Sequence, residues 1–316
     1  MFLEAIDSVS LSGSESGQVG RITHFLPTSE GYFVIDGSNK VVLAFDATGA
    51  LTAQVGRNGM EMDQYEDPYR VAVRGDSIFV LDLARFSHVL VFDRGGAYVG
   101  GVNWKNERMP TDMQLTNTGM AISTTVKPER GKPSDVMHIV TEAKSFTGCQ
   151  IDPRIIESDR KGGMLGSMVF ATISKNADRI FCALPTTPVV QVVDTSGRLL
   201  PPVTSAPPFY VAPLDKPLTM NTKQMMAFNA SFTTHVAFTP TPSGFVSTYS
   251  QYDTVGQRTK YMLFACDSAN AIRTCGTSQV DRRVLHVASP DTVFLEEPRV
   301  DGRLVVGRYR IKGLGR

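Results

Sequence analysis

The sequence predicts an all-β fold: a six-bladed β-propeller with four antiparallel strands per blade, closed by its N-terminal strand. Three observations predict it. A block of strands and turns recurs, most clearly as "YFVIDGSNKVVLAFDATGALTAQVG" (32–56) and "IFVLDLARFSHVLVFDRGGAYVGGV" (78–102). The recurrence has a period near 50 residues, the length of four short strands and their connections. Helical periodicity is nearly absent.

Within each block Phe33-Val34-Ile35-Asp36 matches Phe79-Val80-Leu81-Asp82, and Phe45-Asp46-Ala47-Thr48-Gly49 matches Phe92-Asp93-Arg94-Gly95-Gly96. A fainter copy holds Val193-Asp194-Thr195-Ser196-Gly197, and a fainter one still holds Cys266-Asp267-Ser268-Ala269-Asn270. Asp-x-x-Gly is turn chemistry. The aspartate accepts from backbone N–H groups just ahead of it, and the glycine supplies the left-handed residue a short hairpin needs. Asn270 suits the glycine position as the next best residue there. The copy due near residue 142, in "VMHIVTEAKSFTG", keeps its strand character and loses the turn motif.

Dividing 316 residues by the period gives six blades, at 18–60, 61–106, 107–155, 160–205, 218–278 and 279–316, within a single domain. The last span holds three strands, and residues 2–12 supply its fourth, which removes a free sheet edge. The proline-rich "LLPPVTSAPPFYVAPLDKP" (199–217) reads as an excursion from the repeat, either a lid or an outer loop.

Bulk properties fit a folded scaffold. Hydrophobic residues make up 42% and charged residues 20%, enough for a sizeable core. The formal charge of +1 carries no electrostatic footprint for nucleic acid, even with Lys105, Arg108, Lys127, Arg130 and Lys132 near one another. No apolar run is long enough to cross a bilayer as a helix. The opening "MFLEAIDSVSLSG" lacks the basic and apolar regions of a signal peptide. Of four cysteines, Cys266 and Cys275 flank "DSANAIRT". If that segment is a hairpin, its arms face each other and a disulfide fits; two reduced neighbours fit the sequence equally. The Asn229-Ala230-Ser231 sequon matters only in a eukaryotic secretory context.

At "QYEDPYRVAVRGDSIFVLDLARFSHVLVFDRGGAYVG" the chain resembles the NHL-repeat and NHL-like six-bladed propellers. The specific likeness covers residues 18–103. The family's Asn-x-Arg after the aspartate is replaced here by Ser38-Asn39-Lys40 and Phe86-Ser87-His88. Many bacterial members of the wider family are envelope or secreted proteins. The resemblance therefore implies a binding role and a periplasmic or secreted location, with the cytoplasm as the alternative.

In a propeller the innermost strand of every blade lines one axial channel, so equivalent positions converge. We anchored each blade on its second strand (Tyr32, Ile78, Met120, Ile180, Phe245, Val293). Counting back about eight residues, the spacing between aligned strands of this repeat, reaches His24, Arg70, Asp112 and Thr172. It falls near His235 and His286. These six are the expected channel-mouth site. Two chemistries follow. The first is a non-enzymatic scaffold that binds a protein, peptide or glycan at the loops and channel mouth, with no cofactor. The second is a metal-dependent lyase or hydrolase in which His24, Asp112, His235 and His286 hold a zinc-like ion that activates water. A six-bladed relative, the peptidyl-hydroxyglycine lyase, holds its metal with histidines near the axis. Channel residues that are simply polar lining are the plainer third outcome.

The loop face offers Asp36, Asn39, Asp82, Arg85 and Trp104. Asp36 and Asp82 could meet a ligand or cap their own loops. Trp104 could be an exposed binding aromatic or pack between blades. His88 and His138 are read as structural, and Met220, Met225 and Met226 as core filling. No nucleophile elbow, phosphate loop, dinucleotide fingerprint or His-Glu-x-x-His motif occurs. With Asp112 as the only acid of the inner ring, a calcium centre of the lactonase type is disfavoured.

Overall fold

The Asp-x-x-Gly turn is the device from which the ring is built. Asp46 Oδ1 accepts from Thr48 N at 2.8 Å, from Ala50 N at 3.0 Å and from the Thr48 hydroxyl at 2.6 Å. Asp194 Oδ1 repeats the pattern with Ser196 N and Arg198 N. Hydrogen bonding, led by the Ser196 hydroxyl, holds the Asp194 carboxyl down at about 2. Gly49, Gly96 and Gly197 close these turns with φ between 86° and 88°. A Cβ on Gly49 would come within 2.4 Å of the Ser10 carbonyl, and one on Gly96 equally close to that of Gln54. The turn thus seats each blade against the one before it, and side chains at these two positions are excluded.

The computed structural model describes residues 1–13, 19–104, 108–125, 135–141, 145–151, 153–161, 170–214, 220–269 and 272–313. Its strands form six four-stranded antiparallel sheets arranged as blades. Blade one is β2 (Ile22–Pro27), β3 (Gly31–Asp36), β4 (Val41–Asp46) and β5 (Leu51–Val55). Blade two is β6 (Pro68–Arg74), β7 (Ser77–Asp82), β8 (His88–Phe92) and β9 (Tyr98–Asn103). Blade three is β10 (Pro110–Leu115), β11 (Gly119–Thr124), β12 (Asp135–Thr141) and β13 (Ser145–Gln150). Blade four is β14 (Thr172–Asn176), β15 (Arg179–Ala183), β16 (Val189–Asp194) and β17 (Leu199–Thr204). Blade five is β18 (Thr234–Pro240), β19 (Gly244–Asp253), β20 (Arg258–Ala269) and β21 (Ile272–Val280). Blade six is β22 (Val284–Ser289), β23 (Thr292–Val300) and β24 (Arg303–Lys312), completed by the N-terminal β1 (Phe2–Leu11). β1 pairs with β24 from Phe2↔Lys312 to Leu11↔Leu304.

The core is divided into wedges, each between two neighbouring blades. Phe33, Ile35 and Val42 of blade one meet Val71, Ile78 and Val80 of blade two. Phe25 and Val34 meet Phe294, Leu304 and Val306 across the closing seam. Alternation along each strand explains this, because the two faces of a blade's sheet both lie against a neighbour.

Four features differ from the sequence expectation. Leu199–Thr204 is not an excursion but β17, the outermost strand of blade four. Pro201 and Pro202 fall at a bulge between the Val190↔Val203 and Val192↔Leu200 pairs, on an edge where missing N–H groups cost nothing to the ladder. The departure begins after it and contains helix α2 (Thr222–Ala230). A first helix, α1 (Pro153–Arg160), lies between blades three and four. Asp267 does not open a turn: it pairs with Thr274 inside the β20–β21 hairpin. Asn270 lies outside the described residues, as do Lys105, Lys127, Arg130 and Lys132.

Both cysteine pairs are bonded. Cys266 and Cys275 face each other across the hairpin, as the sequence allowed, with Cα atoms 4.1 Å apart. Cys149 of β13 is joined to Cys182 of β15, so this second bridge links blade three to blade four.

Candidate functional site

Each innermost strand has one neighbour only, so its other edge carries backbone N–H groups facing the axis. Those groups must find partners. On one side of the ring, side chains of the adjacent blade provide them. Val71 N of blade two donates to His24 Nδ1 of blade one at 3.1 Å. Ile173 N of blade four donates to Asp112 Oδ2 of blade three at 2.9 Å. Arg70 Nε donates to Asp112 Oδ1 at 2.7 Å, and that oxygen also accepts from Met113 N. Ser123 Oγ adds a bond to the Ala171 carbonyl at 2.9 Å. Blades one to four are therefore stitched in sequence around the axis. Arg283 Nη1 ties blade six to blade one through the Ile22 carbonyl at 2.6 Å.

The rest of the ring is different. Thr172, Ser174, His235 and Thr248, on blades four and five, each carry a buried polar atom with no hydrogen-bond partner. His235 is 1% exposed and stacks on Tyr249, with centroids 4.6 Å apart and planes 14° apart. Its Nδ1 lies 3.3 Å from the Thr187 carbonyl, while Nε2 is unpartnered. Tyr249 is held by Ser205, whose hydroxyl also donates to Ser247 at 2.6 Å.

Together the innermost strands enclose a channel of about 830 Å³. All six residues singled out from the sequence, His24, Arg70, Asp112, Thr172, His235 and His286, line it. They do not share one level. His24, Arg70, Asp112 and Thr172 pair with Ile35, Leu81, Ser123 and Ala183, each three places beyond its anchor residue. In blade five that rung belongs to Ala237, opposite Thr248, and His235 sits one rung outward, opposite Tyr249. In blade six the rung belongs to Arg283, whose carbonyl accepts from Glu296 N. His286 pairs instead with Phe294, because two bulges along β22 insert extra residues that a uniform count misses.

Burial sets the protonation of the histidines. Desolvation, aided by the Arg70 charge, holds His24 well below the ordinary histidine value. Desolvation brings His286 to about 4 and His235 to about 4, the latter against hydrogen bonding to Thr187 and Ala237. All three are neutral at pH 7. With Nδ1 accepting from Val71, His24 carries its proton on Nε2.

The expected metal set is not assembled as one cluster. Asp112 is saturated by Arg70 and two backbone N–H groups, and His24 Nδ1 is engaged. Among the described residues, no three His, Cys, Asp or Glu side chains stand together as ligands for one ion.

The loop-face residues have mostly structural posts. Asp36 is fully buried and accepts from Gly20 N, Ser38 N and the Asn39 amide. Asp82, also fully buried, accepts from Glu66 N, Asp67 N and Ala84 N. Each fastens the connection entering its blade, so neither carboxylate faces a ligand. Asn39 stays at the surface as a partner of Asp36. Arg85 donates to the Met60 and Glu61 carbonyls at 3.3 and 2.5 Å and lies 3.6 Å from Asp82. Trp104 is 6% exposed and packs between blades two and three with Phe79, Leu81 and Met113, which corrects the exposed reading. Arg283, Tyr69 and Ser174 line the channel without having been singled out by sequence. Alternation on the innermost strands was the signal for Ser174, two places beyond Thr172.

No protein-family model and no curated protein matches the chain. Among solved structures it is similar to a candidate exported protein of Bacteroides fragilis, with a TM-score of 0.67 and 12% identity over 98% of this chain and 96% of that one. A DUF4221-family member from Bacteroides vulgatus gives 0.66 and 9% identity, covering 98% of each chain. At these identities the likeness carries the six-bladed fold. No helix among the described residues is long and apolar enough to cross a membrane.

Proposed function

We propose that this propeller is a non-enzymatic binding protein that takes a protein, peptide or glycan ligand at the channel mouth. One observation carries this reading. The channel is lined by polar side chains of all six blades, yet its chemically versatile groups on blades one to three are spent on neighbouring backbone, not held ready to react. What remains towards the lumen is suited to recognition: fixed donors on one side, hydroxyls on the other. Its volume lies in the range of small-ligand sites or of one end of a larger ligand. The metal-dependent alternative draws no support from side chains placed on separate rungs.

Two disulfides support a periplasmic or secreted location, because such bonds persist in oxidising compartments. The matching Asp-x-x-Gly turns support a divergent NHL-like ancestry.

The test is a glycan and peptide array probed with the wild type and with Ser174→Trp, which places an indole in the channel. Binding by the wild type that disappears in the folded variant is the expected outcome. Ligands that bind equally well to both would move the site away from the channel.

A further inference from the structure

Arg70 is more tightly constrained than pairing with Asp112 requires. Its Nε is fixed by Asp112 Oδ1 at 2.7 Å and its Nη1 by the Tyr69 carbonyl at 3.0 Å. The guanidinium lies over the Tyr69 ring, 4.2 Å from the centroid, so one face is covered as well. The side chain is only 15% exposed and lines the channel. Nη2 is left without a hydrogen-bond partner among the described residues. The Nε2–H of His24, which lines the same channel, has none either, since Nδ1 accepts from Val71 N. Asp112, the only carboxylate among the described lining residues, has its oxygens occupied by three donors, and the second guanidinium of the wall, Arg283, is tied to the Ile22 carbonyl and lies 3.7 Å from Glu296. This side of the lumen therefore offers N–H donors and positive charge, and no free carboxylate among the described lining residues.

Across the channel the wall is neutral and hydroxyl-rich. Thr234, Thr239 and Ser250 line it and none of the three is buried, whereas Thr172, Ser174 and Thr248 line it with their hydroxyl oxygens buried behind the wall. A ligand matching both sides needs an anion at one end and a body of hydroxyl groups at the other. A bare anion would leave the hydroxyl wall unused, and a neutral sugar would leave the guanidinium edge unpaired in a partly desolvated site.

Taking the channel mouth as the ligand site, we infer that it recognises an acidic carbohydrate of the uronic-acid type. Its carboxylate binds the Arg70 Nη2 edge and His24 Nε2–H, and its ring hydroxyls face Thr234, Thr239 and Ser250. Guanidinium and carboxylate are geometrically matched, and a guanidinium already held in place loses little entropy on binding.

The experiment titrates the whole chain with D-glucuronate and separately with D-glucose, at fixed pH and ionic strength, by calorimetry and ligand-observed NMR. Saturable glucuronate binding, at least about tenfold tighter than glucose, is expected. The Arg70→Gln/Asp112→Asn double variant removes both charges and keeps an acceptor for Ile173 N; it should lose the preference for glucuronate. His24→Gln leaves the Arg70–Asp112 pair intact and should weaken glucuronate several-fold, which keeps the test open if the double variant does not fold. Equal binding of the two sugars, no glucuronate binding, or undiminished binding in the folded variants would overturn the inference. The two readings fail separately. Neutral glycans or peptides that bind and are blocked by Ser174→Trp would leave the channel-mouth function standing without its acidic selectivity. Ligands indifferent to Ser174→Trp would remove both.

Discussion

The arc of the ring from blade one to blade four and the arc from blade four to blade six meet the same problem in opposite ways. Both present inner strand edges and polar side chains to one channel. In the first arc, His24, Arg70 and Asp112 join each blade to the next through hydrogen bonds. In the second, Thr172, Ser174, His235 and Thr248 keep polar atoms unpaired. The difference teaches that a polar channel is not one kind of surface. Groups of similar chemistry are all engaged across the blades on one side, while on the other some are engaged and some are buried with no partner.

Breaking the stitched arc should have the largest effect. Asp112→Ala leaves the largely buried Arg70 without its counter-charge and removes the acceptor of Ile173 N, so we expect a loss of about 3–5 kcal/mol. Chemical denaturation measures it, and a loss within experimental error would mean that the arcs do not differ in kind. The same boundary is held covalently by Cys149–Cys182, which spans 33 residues. Cys149→Ser/Cys182→Ser should cost about 3–4 kcal/mol, and the midpoint of the oxidised wild type is the reference.

Acid sharpens the comparison. His235 and His286 titrate near 4 when folded, below the unfolded value of 6.5. The unfolded chain therefore takes up protons first. Stability is full above pH 6.5 and falls as pH drops towards 4, by about 3 kcal/mol per histidine at pH 4. His235→Phe, which keeps the stacking on Tyr249, should flatten that decline; an unchanged pH profile would remove His235 from it. The smallest effect is expected in the open arc. Thr172→Val replaces an unpartnered hydroxyl by a methyl group and should change stability by no more than about 0.5 kcal/mol, in either direction. A loss above about 1 kcal/mol would show that the hydroxyl has a structural post after all.

The parts of the fold that could be read from the sequence are those whose chemistry is local. Asp46, Asp93 and Asp194 each announce a turn because aspartate and glycine complete it within a few residues. Four channel residues could be reached by counting because β2, β6, β10 and β14 keep the same distance to their second strands. The count slips where bulges add residues, which is why it reached His286 and passed over Arg283. The Cys149–Cys182 bridge depends on how two blades abut, and no spacing rule records that. Helix α2 carries a local signal as well: Asn221 and Gln224 form a reciprocal cap, visible in the sequence as Asn-x-x-Gln before the helix. The proline run misled because Pro201 and Pro202 break strands everywhere except at an edge.

The pairing of β1 with β24 also sets the order in which the molecule can be made. Phe2 finds its partner in Lys312, nearly the whole chain away. During synthesis the first strand emerges from the ribosome and must wait while five blades assemble behind it. Contacts of such sequence separation form late and slowly. Until they form, β24 presents a bare edge on which another nascent chain can dock. Refolding yield should therefore fall with protein concentration more steeply than that of a variant permuted to begin between β21 and β22, in which all four strands of the sixth sheet are contiguous in sequence.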